Sequence, residues 1–188
     1  VSKLWLILVA CLLSGHAFAG AGASVCDVTP ASADTLTAAG TFATTCLIGY
    51  YDPGQSLVIH AQGVFTTTAT ASPVESIQVN AFGTTGICTH SGNNSVAVSL
   101  TNDSWDVTCH IKILTAGNPG TATTWGTDEV VIANSSGTFA SHNYPQNAAS
   151  QAAITTTPQT VSIQEIGPLV SGESFTLQSL TVDAKGIN

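Results

Sequence analysis

Arginine and methionine are absent from this chain, and only three lysines stand against eleven acidic residues. Charged side chains make up 7% of the sequence and aromatic ones 6%, so neither ion-pair networks nor a large aromatic cluster dominates its chemistry. Recognition of a nucleic-acid backbone rests on lysine and arginine, so the near-absence of both argues against nucleic-acid binding. The same scarcity argues against adsorption to an anionic membrane. It also removes the guanidinium fork that usually clamps phosphate or sulfate. No segment sustains a helical apolar period, and no apolar run reaches the roughly 20 residues of a spanning helix. Absent too are G-x-S-x-G, H-E-x-x-H and P-loop motifs.

What is present begins with "VSKLWLILVACLLSGHAFAG". One basic residue, Lys3, precedes the apolar residues 4–13; a polar break follows, and Ala17-Phe18-Ala19 supplies small residues for cleavage. These three regions read as a secretory signal peptide over residues 1–19. "LVAC" also has the form of a lipobox that would lipidate Cys11, and a retained tail is the other alternative to cleavage. Beyond residue 19 the chain keeps Lys112 and Lys185 and all its acidic residues. No stable membrane insertion of this mature part is expected, and a secreted or extracellular location is, with cell surface or periplasm as variants. Cys26, Cys46, Cys88 and Cys109 form an even set in an exported chain, which reads as two disulfides. Of the three connectivities, Cys26–Cys46 with Cys88–Cys109 is preferred because each pair brackets one turn-rich segment.

Short period-two runs recur between turn signals. In "PGQSLVIHAQGVF", Leu57, Ile59 and Ala61 alternate with Val58, His60 and Gln62, and Gly63 marks a bulge or a close approach. Ile77, Val79 and Ala81 share a face in "SIQVNAF"; Trp105, Val107, Cys109, Ile111 and Ile113 do so in "SWDVTCHIKIL". In "SFTLQSLTV" Phe175 and Leu177 are out of phase with Leu180 and Val182, so a bulge is expected near Ser179. Strands at this spacing predict an all-β fold, an antiparallel sandwich or barrel. Residues 20–45 are small, polar and weakly patterned, an arm or edge strand stapled by Cys26 to Cys46. Residues 46–188 form the main domain.

Gly54, Leu57, Ile59, Ala61, Gly63 and Phe65 follow a G-x-x-L-x-I-x-A-x-G-x-F pattern. Phe82-Gly83-Thr84-Thr85 ends the next strand, Trp105 leads another, and residues 177–182 close with L-x-S-L-T-V. This succession resembles the jelly-roll modules of tumour-necrosis-factor and complement-type heads and of phage fibre and capsid-surface proteins. The resemblance implies an antiparallel jelly-roll β-sandwich over residues 46–188 and self-association, as a homotrimer or filament. The leader and the cysteines depart from phage members assembled in a reducing cytoplasm.

Candidate chemistry is sparse. Cys88, His90, Cys109 and His110 are zinc-ligand types, but Cys109 and His110 are strand neighbours on opposite faces, and an oxidising compartment favours a disulfide. No metal site is assigned. His60 and His110 lie on the less apolar faces of their strands, where they form a histidine pair or part of a half-exposed face. Oxygen ligands in "TNDSWD" (residues 101–106) and "TDE" (residues 127–129) would suit calcium, the one cofactor considered, although the Asp-x-Asp-x-Asp-Gly spacing is missing. Asp128 and Glu129 are adjacent and would diverge in a strand, unlike a glycosidase pair. Trp125, Tyr50, Tyr51 and Tyr144 fall in expected loops, where they either stack on sugar rings or cap the ends of the sandwich. Asn93, Asn102 and Asn134 each head an N-x-S triplet, the acceptor pattern for glycosylation.

The expectation is therefore a non-enzymatic, exported structural or adhesive module that associates with itself. The alternative is a lectin-like domain that holds a surface glycan through loop aromatics and calcium.

Overall fold

The computed structural model describes residues 23–49, 51–68, 74–75, 77–89, 94–95, 99–115, 120–125, 132–133, 139–140, 149–151 and 159–186. These residues are all β, with no helix among them. The strands are β1 (Ala23–Val28), β2 (Asp34–Leu36), β3 (Gly40–Ile48), β4 (Ser56–Thr66), β5 (Val74–Glu75), β6 (Ile77–Ala81), β7 (Thr84–Thr89) and β8 (Asn94–Ser95). They continue with β9 (Asp103–Thr115), β10 (Gly120–Trp125), β11 (Ile132–Ala133), β12 (Phe139–Ala140), β13 (Ala149–Gln151), β14 (Gln159–Glu165) and β15 (Ser174–Lys185).

Two antiparallel sheets carry the core. The larger has the order β1-β15-β4-β9-β10-β13, with β2 also pairing β15; the smaller has the order β3-β14-β6-β7. Short ladders join β5 to β8 and β11 to β12. This is the arrangement of a β-sandwich, each sheet burying one face of alternating residues. Leu57, Ile59, Ala61 and Phe65 of β4 face inward with Trp105, Val107, Cys109, Ile111 and Ile113 of β9. From the smaller sheet come Phe42, Cys46 and Ile48 of β3, Ile77, Val79 and Ala81 of β6, and Val161 and Ile163 of β14. The β-branched, alternating composition is what makes these runs strands; filling the space between them with apolar groups makes them a sandwich. Phe42 stacks on Trp105 across the sheets, with centroids 6.1 Å apart. Trp105 leans on Phe175, which stacks on Phe65 at 5.4 Å.

Backbone irregularities follow from side-chain demands. The phase break in "SFTLQSLTV" is a bulge at Gln178, between the pairs Leu177–Gly63 and Ser179–Gln62. It returns Leu180 and Val182 to the core, both 0% exposed. Gly63 is a point of close approach. The β4–β9 register runs through it unbroken, but a Cβ there would lie 1.9 Å from the Thr176 carbonyl oxygen and 2.8 Å from two indole carbons of Trp105. Asp52, Pro53, Gly54 and Gln55 form a type II turn, with the Gln55 N–H donating to the Asp52 carbonyl at 3.1 Å and Gly54 at φ 91°. The turn after β6 is a tight two-residue hairpin: Phe82 and Gly83 alone form it, both at positive φ. Phe82 accepts that backbone while its ring is wholly buried.

Residues 23–45 of the weakly patterned segment are integral to the sandwich. They supply the edge strand β1, the short β2 and the start of β3, so residue 45 falls within a continuous strand. Phe42, embedded among Gly, Ala and Thr, is their one large core anchor. In β3, residues 42–44 face only Ile163 of β14. The Asp34 carboxylate accepts the Ala43 and Thr44 N–H groups at 3.2 and 2.6 Å. One side chain thus satisfies the donors at this irregularity.

Candidate functional site

Both disulfides are present in the preferred connectivity, Cys26–Cys46 and Cys88–Cys109. Each joins a strand of the larger sheet to one of the smaller: β1 to β3 on one flank, β9 to β7 on the other. Cys46, Cys88 and Cys109 are essentially inaccessible. The Cys/Cys/His/His zinc set therefore dissolves, because its two sulfurs bond each other on the inner face. His110, next in sequence, lies on the outer face, and His90 lies outside the described residues. Two disulfides agree with an oxidising compartment.

The outer face of the larger sheet gathers the described histidines and lysines. Register aligns Thr181, His60 and Thr108 in one row; Asp183, Val58, His110 and Trp125 in the next; Lys185, Ser56, Lys112 and Thr123 in a third. His60 is exposed, and its Nδ1 lies 2.9 Å from the Thr108 hydroxyl, which fixes the ring toward β9. Burial, then the Lys185 ammonium and His60, hold His110 below the ordinary histidine value. His60 and His110 occupy diagonal positions, each directly opposite a different residue. This is the half-exposed face expected from the sequence, partly covered at Val58 and Thr108.

Other candidate residues separate in space. Tyr51 is 5% exposed and meets Phe82 edge-on at 6.3 Å, and burial pushes its hydroxyl up to about 12. It fills the end of the sandwich and is no sugar platform, which corrects its place among glycan-binding candidates. Trp125 is the last residue of β10, opposite His110. Tyr50, Tyr144, Asn93, Asn134 and residues 127–129 lie outside the described residues, as does the leader with Cys11. Asn102 is exposed in a left-handed turn, its N–H donating to the Thr66 hydroxyl at 3.3 Å. Asp103 and Asp106 sit three positions apart in β9 and so project to opposite faces instead of sharing an ion. Among the described residues no group of three or more His, Cys, Asp or Glu stands where it could hold a metal.

A concavity of the larger sheet escaped the sequence reading. At the Gln178 bulge, Gln62, Gly63, Ser104, Trp105, Asp106 and Gln178 line a depression of about 350 Å³. A second, of about 400 Å³, shares Gln178 and continues toward the β1–β2 loop at Pro30 and Ser32. Gln62, Ser104 and Gln178 are exposed. Trp105 is 1% exposed, and its indole N–H has no hydrogen-bond partner among the described residues. The broken parity at residues 177–180 was the available signal, since a bulge re-aims side chains and often adjoins a site.

Comparison with protein-family models, with curated proteins and with solved structures returns no match for this chain.

Proposed function

We propose that the chain is an exported, non-enzymatic display module, a jelly-roll head that associates with copies of itself on a cell, fibre or particle surface. The observation that carries this reading is the stapling. Two disulfides, Cys88–Cys109 wholly inaccessible and Cys26–Cys46 half-buried at Cys26, tie the sheets together on both flanks, which suits a body that must persist outside the cell with few charges to stabilise it. Strand pairing supports the jelly roll. Among the eight strands β1, β3, β4, β6, β7, β9, β14 and β15, the first pairs the last, β3 pairs β14, β4 pairs β9 and β6 pairs β7. Such nested pairing is what results when one long antiparallel ribbon folds over into two sheets, as in a jelly roll with its two Greek keys. Self-association belongs to the reading through the resemblance to trimeric heads. Light scattering after size exclusion, on the oxidised protein beginning at Gly20, tests it. A stable oligomer is the expected result, and a strict monomer at all accessible concentrations refutes the self-associating head.

A further inference from the structure

We propose that the outer face of the larger sheet docks on the same face of a second copy of this chain. The two copies are related by a twofold axis that crosses the strands between the Thr108 and His110 rows. This contact rests on the self-association reading and gives it its surface. Lys112 and Lys185 are the only lysines beyond residue 19, and arginine is absent, against eleven acidic residues. Both lysines nevertheless stand on this one face, in the row Lys185–Ser56–Lys112. His110 lies in the next row and His60 in the row after it. Further along β9 the sign reverses: Asp106, opposite Gln62, stands three rows from Lys112. Six residues of strand separate the two, about 20 Å. β9 thus carries a cation toward one end and a carboxylate toward the other, on the face that alternation gives to both.

The twofold axis lays β9 antiparallel over its own counterpart, and the strand register then fixes what meets. Lys112 meets Asp106 of the second copy, and Asp106 meets its Lys112, so one ion pair is made twice. His110 falls opposite Thr108, and Lys185 opposite Ser179. Asp183 and Asp27 fall opposite Thr181 and Ser24, so no like charges are opposed. An axis along the strands would instead set Lys112 against Lys185, and charge selects against it. Asp106 and His110 also have contacts within their own chain. A carboxylate offers about four lone-pair sites on its two oxygens, so Asp106 accepts a further donor. β4 has 11 residues, about 37 Å of strand, and the five strands from β1 to β10 span about 19 Å. The face is therefore about 700 Å², close to the roughly 800 Å² per partner of a stable complex. An extended polyanion is the other occupant these cations suit, but the acidic excess of the chain repels it. A second copy brings a carboxylate at the spacing of the lysine.

The test is sedimentation velocity on the oxidised protein beginning at Gly20, with near-ultraviolet circular dichroism to check that each variant is folded. The parent should associate, and less so as ionic strength rises. Lys112→Glu opposes like charges at both ends of the contact and should weaken association by about tenfold or more; Asp106→Lys should do the same. Mixed one to one, the two variants should associate about as tightly as the parent, because both ion pairs re-form between unlike copies. Lys185→Glu, opposite Ser179, should change affinity by less than about threefold. If Asp106→Lys does not fold, the contrast between Lys112→Glu and Lys185→Glu decides. A parent that stays monomeric overturns this contact together with self-association. A parent that associates overturns this contact alone if Lys112→Glu associates as tightly, or if Lys185→Glu does equal harm. A mixture no tighter than its folded components also overturns it.

Discussion

Adding one methyl group at Gly63 should destabilise the sandwich more than its size suggests. A Cβ there would sit 1.9 Å from the Thr176 carbonyl oxygen and 2.8 Å from Cε2 and Cζ2 of Trp105. The carbonyl is backbone, fixed in the β4–β15 pairing beside the Gln178 bulge. The indole is wedged between Phe42 and Phe175. Neither can retreat cheaply, so Gly63→Ala should fall at the upper end of the ~1–3 kcal/mol range for overpacking. Replacing glycine also restricts the unfolded chain, which returns about 0.4–1 kcal/mol at sites that accept a side chain. The net expectation is a loss of about 2 kcal/mol, or roughly 4–8 °C in melting temperature for a domain of this size. Urea unfolding of the oxidised protein should show a lower midpoint at unchanged slope. Gly49→Ala is the matched control: nothing lies within 4 Å of its Cβ position, and the change should stay within about 0.5 kcal/mol. If Gly63→Ala is as stable as Gly49→Ala, the close approach of Trp105 and Thr176 is not what holds this glycine in place.

Other expectations follow from the same contacts. Reducing either disulfide reopens a loop of about twenty residues, and each should cost about 3 kcal/mol, read as the difference between oxidised and reduced urea midpoints in single-pair Cys→Ala variants. Asp34→Ala strips two backbone N–H groups of their acceptor and should cost about 1–3 kcal/mol; Asp34→Asn, which keeps one acceptor oxygen, should recover part of that loss. Because the folded protein holds His110 below its unfolded value, the unfolded chain takes up protons first as pH falls from neutrality. Stability should therefore decline as pH drops through 6.5 toward the lowered value, and His110→Asn should flatten that segment of a midpoint-versus-pH curve.

Much of the inner surface was legible because side-chain alternation is a property of the local backbone. Ile59, Val107 and Ile111 have their faces assigned by parity alone, whatever their strands pair with. The phase break before Leu180 announced the bulge for the same reason, although the residue that bulges is Gln178. The cysteine pairing was also within reach, since each pair closes one short segment. Harder to read was the segment 20–45, where Phe42 is the one large apolar residue delivered to the core and small residues leave the period faint. Tyr51 was ambiguous because an aromatic in a turn fills a cavity or faces solvent according to neighbours distant in sequence, here Phe82.

The sequence by itself determined an all-β chain, poor in cations, with its apolar faces, main turns and two disulfides marked out. All of these depend on short-range geometry, composition or cysteine spacing. Only the tertiary structure decided that Ala23 lies beside Ala184, that each disulfide crosses between sheets, and that Gln62, Ser104, Asp106 and Gln178 meet over Trp105. Those placements come from strand pairing between distant segments. Hydrogen bonding in a ladder is the same for any two backbones, so partner choice is set by how the whole core packs.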